Sequence, residues 1–316
     1  MKIMKYSTRK KLFGFCLVLP WVVGFAVFLV YPLSQTILYS FSSVTITPHG
    51  TRTEPVGLKN YTDVLFTDPD FTLGIPTYLQ QMVFMVPMVV VFSLLFALLL
   101  NSHIRGQRVY RAIFFLPVVL ISGPILEKVR DVGATELPGA GDFFVFEFIN
   151  TQVPPLLAAP IQYIVQNIVL IFWFSGVQVL IFLSGLQKVD RSLYEASMVD
   201  GASAWQQFWK ITIPMVRPFI LLIAVYTVVD ISMSSLSPFI AVIEEGMFAP
   251  SQGFGFSSAA SWLYFLLILA ALAVAFLVFG RREKDILKQK EKALRKRRRR
   301  LARQQKRAAR RYKIRG

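Results

Sequence analysis

Residues 194–218 read YEASMVDGASAWQQFWKITIPMVRP. The stretch lies between two long apolar runs, where a short turn at a membrane surface would be enough. Instead it is rich in helix formers, is split by Asp200-Gly201 and closes on Pro214 and Pro218. Ser192-Leu193-Tyr194-Glu195 has the S-x-x-E spacing of a capping box. That spacing predicts Ser192 as the helix cap, with Glu195 reaching back to its amide. The helix runs through Ala196, Ser197, Met198 and Val199 and breaks at Asp200-Gly201, because glycine readily takes the positive φ of a helix C-terminus. Ala202 to Lys210 predicts a second short helix, with Ala204, Phe208 and Ile211 on one face and Trp205 and Trp209 beside it. Pro214 and Pro218 then deliver the chain into the next apolar run. The expected product is a helix–turn–helix on a membrane face. Its aromatic side chains bury either in the headgroup region or in the groove of a soluble partner.

The rest of the chain supports a membrane setting. Of 316 residues 54% are hydrophobic, and the mean hydropathy is +0.53. Soluble domains are less apolar, and several runs here reach the roughly 20 residues that cross a hydrocarbon core. Apolar run length places spans near 12–35, 80–101, 112–130, 161–186, 217–243 and 257–280, an all-α membrane protein of six helices. The net charge of +17 resides almost wholly in residues 281–316, which hold 19 Lys and Arg against Glu283, Asp285 and Glu291. Basic residues also mark the N-terminus (1–11), the 101–111 loop and the 187–217 loop. Acids dominate 42–79, 131–160 and 244–256, so the positive-inside rule puts both termini in the cytoplasm. The first run continues into bulky residues rather than a small-x-small site, so it is expected to be a retained span. The single cysteine, Cys16, excludes an internal disulfide.

Three sequence features together resemble a known family. Glu195-Ala196, then Asp200-Gly201-Ala202, then Ile213-Pro214 has the composition and spacing of the EAA loop of ABC importer permeases. Gly57-Leu58-Lys59-Asn60-Tyr61 and Arg111-Ala112-Ile113-Phe114-Phe115-Leu116-Pro117 are similar to two further motifs of the carbohydrate-type permeases, the maltose and glycerol-phosphate permease kind. The resemblance covers residues 12–280. Ser197 stands where a third EAA alanine would, Glu244-Glu245-Gly246-Met247 replaces a Gly-Gly-Pro-like turn, and 131–160 departs from the family pattern.

The resemblance implies a type I importer permease fold with a permease domain over 12–280 and a cytoplasmic coupling helix in 187–217. Glu195, Ala196, Asp200, Gly201, Ala202, Trp205, Phe208 and Pro214 would be its ATPase-coupling residues. It implies a second homologous permease, forming a heterodimer, two cytoplasmic ATPase subunits and an extracytoplasmic solute-binding protein in a bacterial inner membrane. The cargo would be a sugar or oligosaccharide. This chain has no G-x-x-x-x-G-K-[ST], so ATP and Mg belong to the partner ATPase and the chain needs no cofactor of its own. No catalytic constellation or metal site is evident, and His49 and His103 fall on opposite sides of the membrane.

Polar residues inside the spans are candidates for the substrate path. Asp230 reads as the middle of the fifth span, followed by Ser234, and an ionisable group there faces a cavity or a partner. Gln166, Asn167 and Gln178 could hydrogen-bond sugar hydroxyls and Trp173 could stack on a sugar ring, or all four could serve helix packing. In 281–316 a single apolar stripe recurs every seven residues, too thin for a coiled coil. That tail is expected to lie on anionic lipid rather than on nucleic acid. Three other readings compete: an ABC permease for a non-sugar solute, a membrane insertase with a ribosome-binding tail, and an ion-coupled transporter using Asp230.

Overall fold

The computed structural model describes residues 6–47, 50–102, 109, 148–149, 151–249 and 252–280. The third expected span (112–130), its Arg111–Pro117 motif, the 103–108 loop and the 281–316 tail lie outside the described residues.

The chain opens with α1 (Tyr6–Phe25), a π-helical turn (Ala26–Val30) and α2 (Tyr31–Ser40). A hairpin follows, β1 (Ser42–Thr47) against β2 (Gly50–Pro55), paired antiparallel with Ser42 opposite Pro55. Then come α3 (Lys59–Thr62), a second π turn (Asp63–Thr67) and α4 (Pro69–Asn101). After the undescribed stretch, α5 (Pro155–Gln166), α6 (Ile168–Phe174) and α7 (Gly176–Leu186) follow one another. Next are α8 (Arg191–Val199), α9 (Ala204–Gln207), a third π turn (Phe208–Thr212) and α10 (Ile213–Ser232). The last helices are α11 (Pro238–Phe248) and α12 (Gly253–Gly280).

Among the described residues four helices are long and apolar enough to cross a membrane: Phe13–Ser40, Pro69–Asn101, Ala204–Ser232 and Gly253–Gly280. The pair α6 and α7, bent by 54°, is apolar enough when taken together to form a broken span or a re-entrant turn. Their extents correct the expected boundaries. The second helix begins at Pro69, not 80. The expected fourth span, 161–186, is broken twice, at Asn167 and at Ser175, each outside regular helix geometry or at the edge of it. The expected fifth span, 217–243, is two helices. Its first part starts back at Ala204 and ends at Ser232, and α11 starts afresh at Pro238 and carries Glu244 and Glu245, expected in a loop. Hydropathy alone could not find these breaks, because Ser234, Ser235 and Ser237 are neutral enough to pass through an averaging window.

Each π turn is followed, two residues past its end, by a proline: Pro32, Pro69 and Pro214. A proline inside a helix lacks an N–H and its ring strikes the carbonyl four residues back. A π turn widens the helix by one residue and moves that carbonyl aside. The shifted bonds are Tyr31 N–H to Ala26 O, Asp68 N–H to Asp63 O and Ile213 N–H to Phe208 O. The Leu65 carbonyl, which Pro69 cannot serve, accepts the Thr72 hydroxyl at 3.2 Å.

The described residues divide into two compact units. One comprises the chain up to Tyr78 together with 235–267. Its core is aromatic: Tyr78 and Phe239 are fully buried with ring centroids 5.7 Å apart, and Tyr264 lies 4.7 Å from Phe239. Gly74 makes room for the Phe239 ring. The Gly57–Tyr61 motif acts structurally in this unit. Gly57 takes φ +64 to turn the chain out of β2. The Asn60 amide, buried, donates to the carbonyls of Ser40 and Ser42, both at 3.0 Å, and the Tyr61 hydroxyl donates to Ser40 Oγ at 2.8 Å. These bonds satisfy the end of the first crossing helix, whose last carbonyls have no intrahelical partner. A Cβ at Gly255 would run into the Ser42 carbonyl and lie 2.9 Å from the Asn60 amide, so α12 passes this junction only as glycine.

The other unit holds 79–234 and the chain after 268. Here α7 packs on α10. Gly185 admits the Phe219 ring, whose carbons would lie 2.8 Å from a Cβ there. Val179, Phe182, Val216, Ile223 and Ala224 are buried.

Replacing Asn60 by alanine strands two carbonyls and is expected to cost about 2–4 kcal/mol. The thermal unfolding midpoint in detergent micelles should fall. Gly255→Ala should lower it too, and the double variant should lose less than the sum, because both act on one junction.

Candidate functional site: the interhelical loop and the polar helix pair

The loop singled out at the start folds as two arms, and its caps differ from those expected. The cap of α8 is Asp190, whose Oδ1 accepts the Ser192 backbone N–H at 3.0 Å. Ser192 is already inside the helix. Glu195 does not reach back to it but pairs with Arg191 one turn earlier at 3.4 Å, on the exposed surface. Asp190 stood two residues ahead of Ser192 and is an equally good capping residue. A carboxylate wins there because it also meets the positive end of the helix.

The other end matches the expectation from glycine. Gly201 has φ +78, its N–H donates to Met198 O at 3.0 Å, and Ala202 N–H donates to Ser197 O at 2.9 Å. This pair of bonds is the Schellman closure, which seals the helix in a stiff turn. Ala196 and Asp200 lie on its exposed side. The second arm starts at a capping box that the sequence also carried: Ser203 Oγ accepts from Gln206 N–H, and Gln206 Oε1 accepts from Ser203 N–H at 3.1 Å.

The second arm is not a separate helix. From Ala204 the chain runs through the π turn into α10 without a break, 29 residues to Ser232. Pro214, expected to mark a boundary, sits just beyond the π turn that accommodates it, and Pro218 lies within α10. The helix that crosses the membrane and the second arm are therefore one rigid rod.

Three bonds clamp α8 to that rod. The Tyr194 and Thr212 hydroxyls lie 2.9 Å apart. Gln207 Nε2 donates to Ser197 Oγ at 2.9 Å and reaches Tyr194 O at 3.4 Å. Ser197, which stands where the EAA pattern has alanine, thus supplies one acceptor of the clamp. Neither Tyr194, Gln207 nor Thr212 was singled out from the sequence, since nothing local marks a bond between residues 10 or more apart. On α8 Leu193 and Met198 flank the clamped face and Val199 lies opposite it, all three exposed, Val199 to 89%. Trp205, Phe208 and Trp209 form one ring cluster on the rod, with Trp205 and Trp209 in edge contact at 5.6 Å.

The polar candidates of the spans divide into two groups. Gln178 is fully buried on α7 and donates from Nε2 to Thr227 Oγ1 on α10 at 3.3 Å. Thr227 commits its own hydrogen to Ile223 O at 2.8 Å, so it can only accept from Gln178. Gln178 Oε1 has no partner among the described residues. The Asp230 carboxyl lies within reach of the same amide and of Tyr226. Asp230 is in the last turn of α10, not mid-span as expected, and Ser234 follows in the turn after it. Trp173 Nε1 is also buried without a partner among the described residues. Gln166 and Asn167 do not join this group. Gln166 is exposed, and the Asn167 amide folds back on Tyr163 O at 2.8 Å, at the break between α5 and α6.

The Ser192 amide holds the Asp190 carboxyl below the usual aspartate range. A lowered folded-state pKa means the cap is fully in place above the ordinary value, about 3.9, and weakens as pH falls through the depressed one. Acidification below that range, or Asp190→Ala, should fray the first turn of α8. Faster hydrogen exchange at the amides of Ser192 and Leu193 would report it.

This arrangement has relatives. The chain is 29% identical over 205 residues to the multiple sugar-binding transport system permease protein MsmF of Streptococcus mutans, covering 65% of this chain and 68% of that protein. It is 27% identical over 300 residues to the trehalose/maltose transport system permease protein MalF of Thermococcus litoralis, covering 89% and 98%. Its fold is similar to a chain of a bacterial alginate ABC transporter solved with an alginate pentasaccharide-bound periplasmic protein. The TM-score is 0.57 at 16% identity, with 87% of this chain and 96% of that one covered. Residues 70–282, most of the chain and including the clamped loop and the polar helix pair, match the model of the binding-protein-dependent transport system inner membrane component. The chain is therefore a multi-pass membrane protein that belongs to the family of inner-membrane components of binding-protein-dependent transport systems.

Proposed function

We propose that this chain is the permease subunit of an ATP-driven carbohydrate importer, with six crossings, both termini in the cytoplasm and the 187–217 loop as its coupling element. The observation that carries this reading is the clamp. A partner pushing on α8 moves the membrane-crossing rod with it, because Tyr194–Thr212 and Gln207–Ser197 join the two. Glu195, Ala196, Asp200, Gly201 and Ala202 form the turn that meets a cytoplasmic ATPase subunit, which holds ATP and Mg. Trp205, Phe208 and Pro214 belong to the arm that carries the motion into the bilayer. The ATPase drives alternating access, in concert with a second, homologous permease. An extracytoplasmic solute-binding protein delivers the cargo to the side carrying the hairpin. There, a cleft of about 580 Å³ is lined by Lys59, Asp63, Asp68 and Gln252 among others.

The carbohydrate assignment draws on the relatives named for sugars and on the alginate transporter. Gln178, Asp230, Trp173 and Ser234 are assigned to the substrate path. A sugar hydroxyl can donate to the unpaired Gln178 Oε1 and accept from the Trp173 indole. Gln166 and Asn167 keep at most a supporting place beside that path.

An affinity pull-down of the chain from gently solubilised membranes tests the coupling element. The wild type should carry a P-loop ATPase and a second permease. Gly201→Asp, which forces a side chain into φ +78, should retain the permease and lose the ATPase. Recovery of ribosomal proteins with neither would overturn the importer in favour of an insertase. In proteoliposomes, Asp230→Asn should cut sugar uptake about tenfold, the effect of one lost charge-assisted bond, with ATPase recovery unchanged. Uptake driven by an ion gradient without ATP would instead make Asp230 the centre of a secondary transporter.

A further inference from the structure

The face of the rod that carries Trp205 and Trp209 is separate from the face that carries α8. Gln207 and Thr212 make the contacts with α8. Two residues either way around a helix of 3.6 residues per turn is about 200°, so Trp205 and Trp209 both lie nearly opposite Gln207, and Trp209 lies on one flank of Thr212. They are 68% and 51% exposed. Neither indole N–H makes a hydrogen bond among the described residues. Lys210 and Arg217, on the same rod, make no ion pair among them either.

The length of the rod sets where this face sits. Its 29 residues span about 43 Å at 1.5 Å per residue, against roughly 30 Å of hydrocarbon and 40–45 Å including both headgroup layers. The first turns, Ala204 to about Thr212, therefore stand in a headgroup layer, where indoles with an apolar body and a free N–H concentrate. Lys210 beside them, and Arg217 about 12 Å further along the rod with a long side chain that can reach back toward the headgroups, add attraction for anionic lipid.

The geometry points to an anionic-phospholipid site formed by Trp205, Trp209, Lys210 and Arg217, which anchors the base of the rod in the cytoplasmic leaflet and fixes the height at which α8 meets its partner. This rests on the proposed orientation and coupling role. It assigns Trp205 to the bilayer instead of the ATPase groove, which is left to α8 with Leu193, Met198 and Val199.

The test uses the full chain with its co-purified subunits in nanodiscs. Trp21, Trp173 and Trp262 are replaced by phenylalanine, and 5-hydroxytryptophan is incorporated into this chain alone before assembly, so that red-edge excitation reads only positions 205 and 209. The discs hold phosphatidylcholine with phosphatidylglycerol, and a nitroxide quencher sits either at the headgroup or deep on the acyl chain. Headgroup nitroxide should dim the pair more than the deep one. Lys210→Gln with Arg217→Gln should weaken the preference for phosphatidylglycerol roughly thirtyfold, the value for two basic groups at a charged surface. Trp205→Ser and Trp209→Ser should still bring down the ATPase. Emission open to aqueous acrylamide but untouched by either nitroxide would overturn the proposal. So would emission that acrylamide reaches in discs stripped of the ATPase but not in discs that retain it, since the face would then be the partner's. If the triple replacement does not fold, Trp205→Cys in a Cys16→Ser chain, labelled with a fluorophore, gives the same contrast. A wild-type chain that carries no ATPase would sink the importer reading, while the quenching pattern would still decide the lipid site.

Discussion

A chain inside hydrocarbon finds no water for its backbone, so every carbonyl freed by a proline must be moved or served from within. That constraint organises this molecule. Pro32, Pro69 and Pro214 each stand two residues after a π turn. Around Pro32 and Pro214 the helix runs on through a residue that would otherwise break it, whereas at Asp68 the chain turns extended and Pro69 opens a new helix. At Pro214 the consequence reaches the interhelical loop. The second arm and α10 become one rod, and α8 is clamped to it.

The two units are stabilised by different means. In the first, carbonyls of Ser40 and Ser42 are taken by a single buried amide, Asn60. In the second, α8 is closed by Asp190 at one terminus and by Gly201 at the other, and side-chain bonds hold it in place. Within that second unit α7 and α10 meet through small and apolar residues, with Gln178 and Thr227 as the polar pair. A buried amide with one unused acceptor is costly unless something else donates to it. That makes Gln178 a better marker of a path than the more exposed Gln166. Asp230, one turn beyond Thr227, is kept at the helix end, where a polar surrounding is easier to provide than at mid-span.

The loop illustrates how local signals compete. Two acid-based caps were possible for α8, one from Ser192 with Glu195 and one from Asp190. The sequence pattern favoured the capping box, but the chain uses the earlier carboxylate, and Glu195 is released to pair with Arg191. The break at Gly201 obeys a rule that spans only three or four residues and was read directly, whereas the equally local box at Ser203, which starts the second arm at Ala204 instead of Ala202, was missed.

By itself, the sequence determined the membrane class and the presence of a helical loop turned by Gly201. It also carried the family motifs, because apolar run length, charge placement and glycine's conformational freedom are local properties. Tertiary structure alone decided that Ala204–Ser232 is continuous, that it ends before α11 begins, and that Asn60 and Gly255 share a junction. It also decided that Ser197, Tyr194, Gln207 and Thr212 form a clamp and that Gln178 faces Thr227. Each of these depends on hydrogen bonds or close approaches between residues far apart in the chain, or on where a proline's missing donor is absorbed. No window of sequence contains both partners of such a contact.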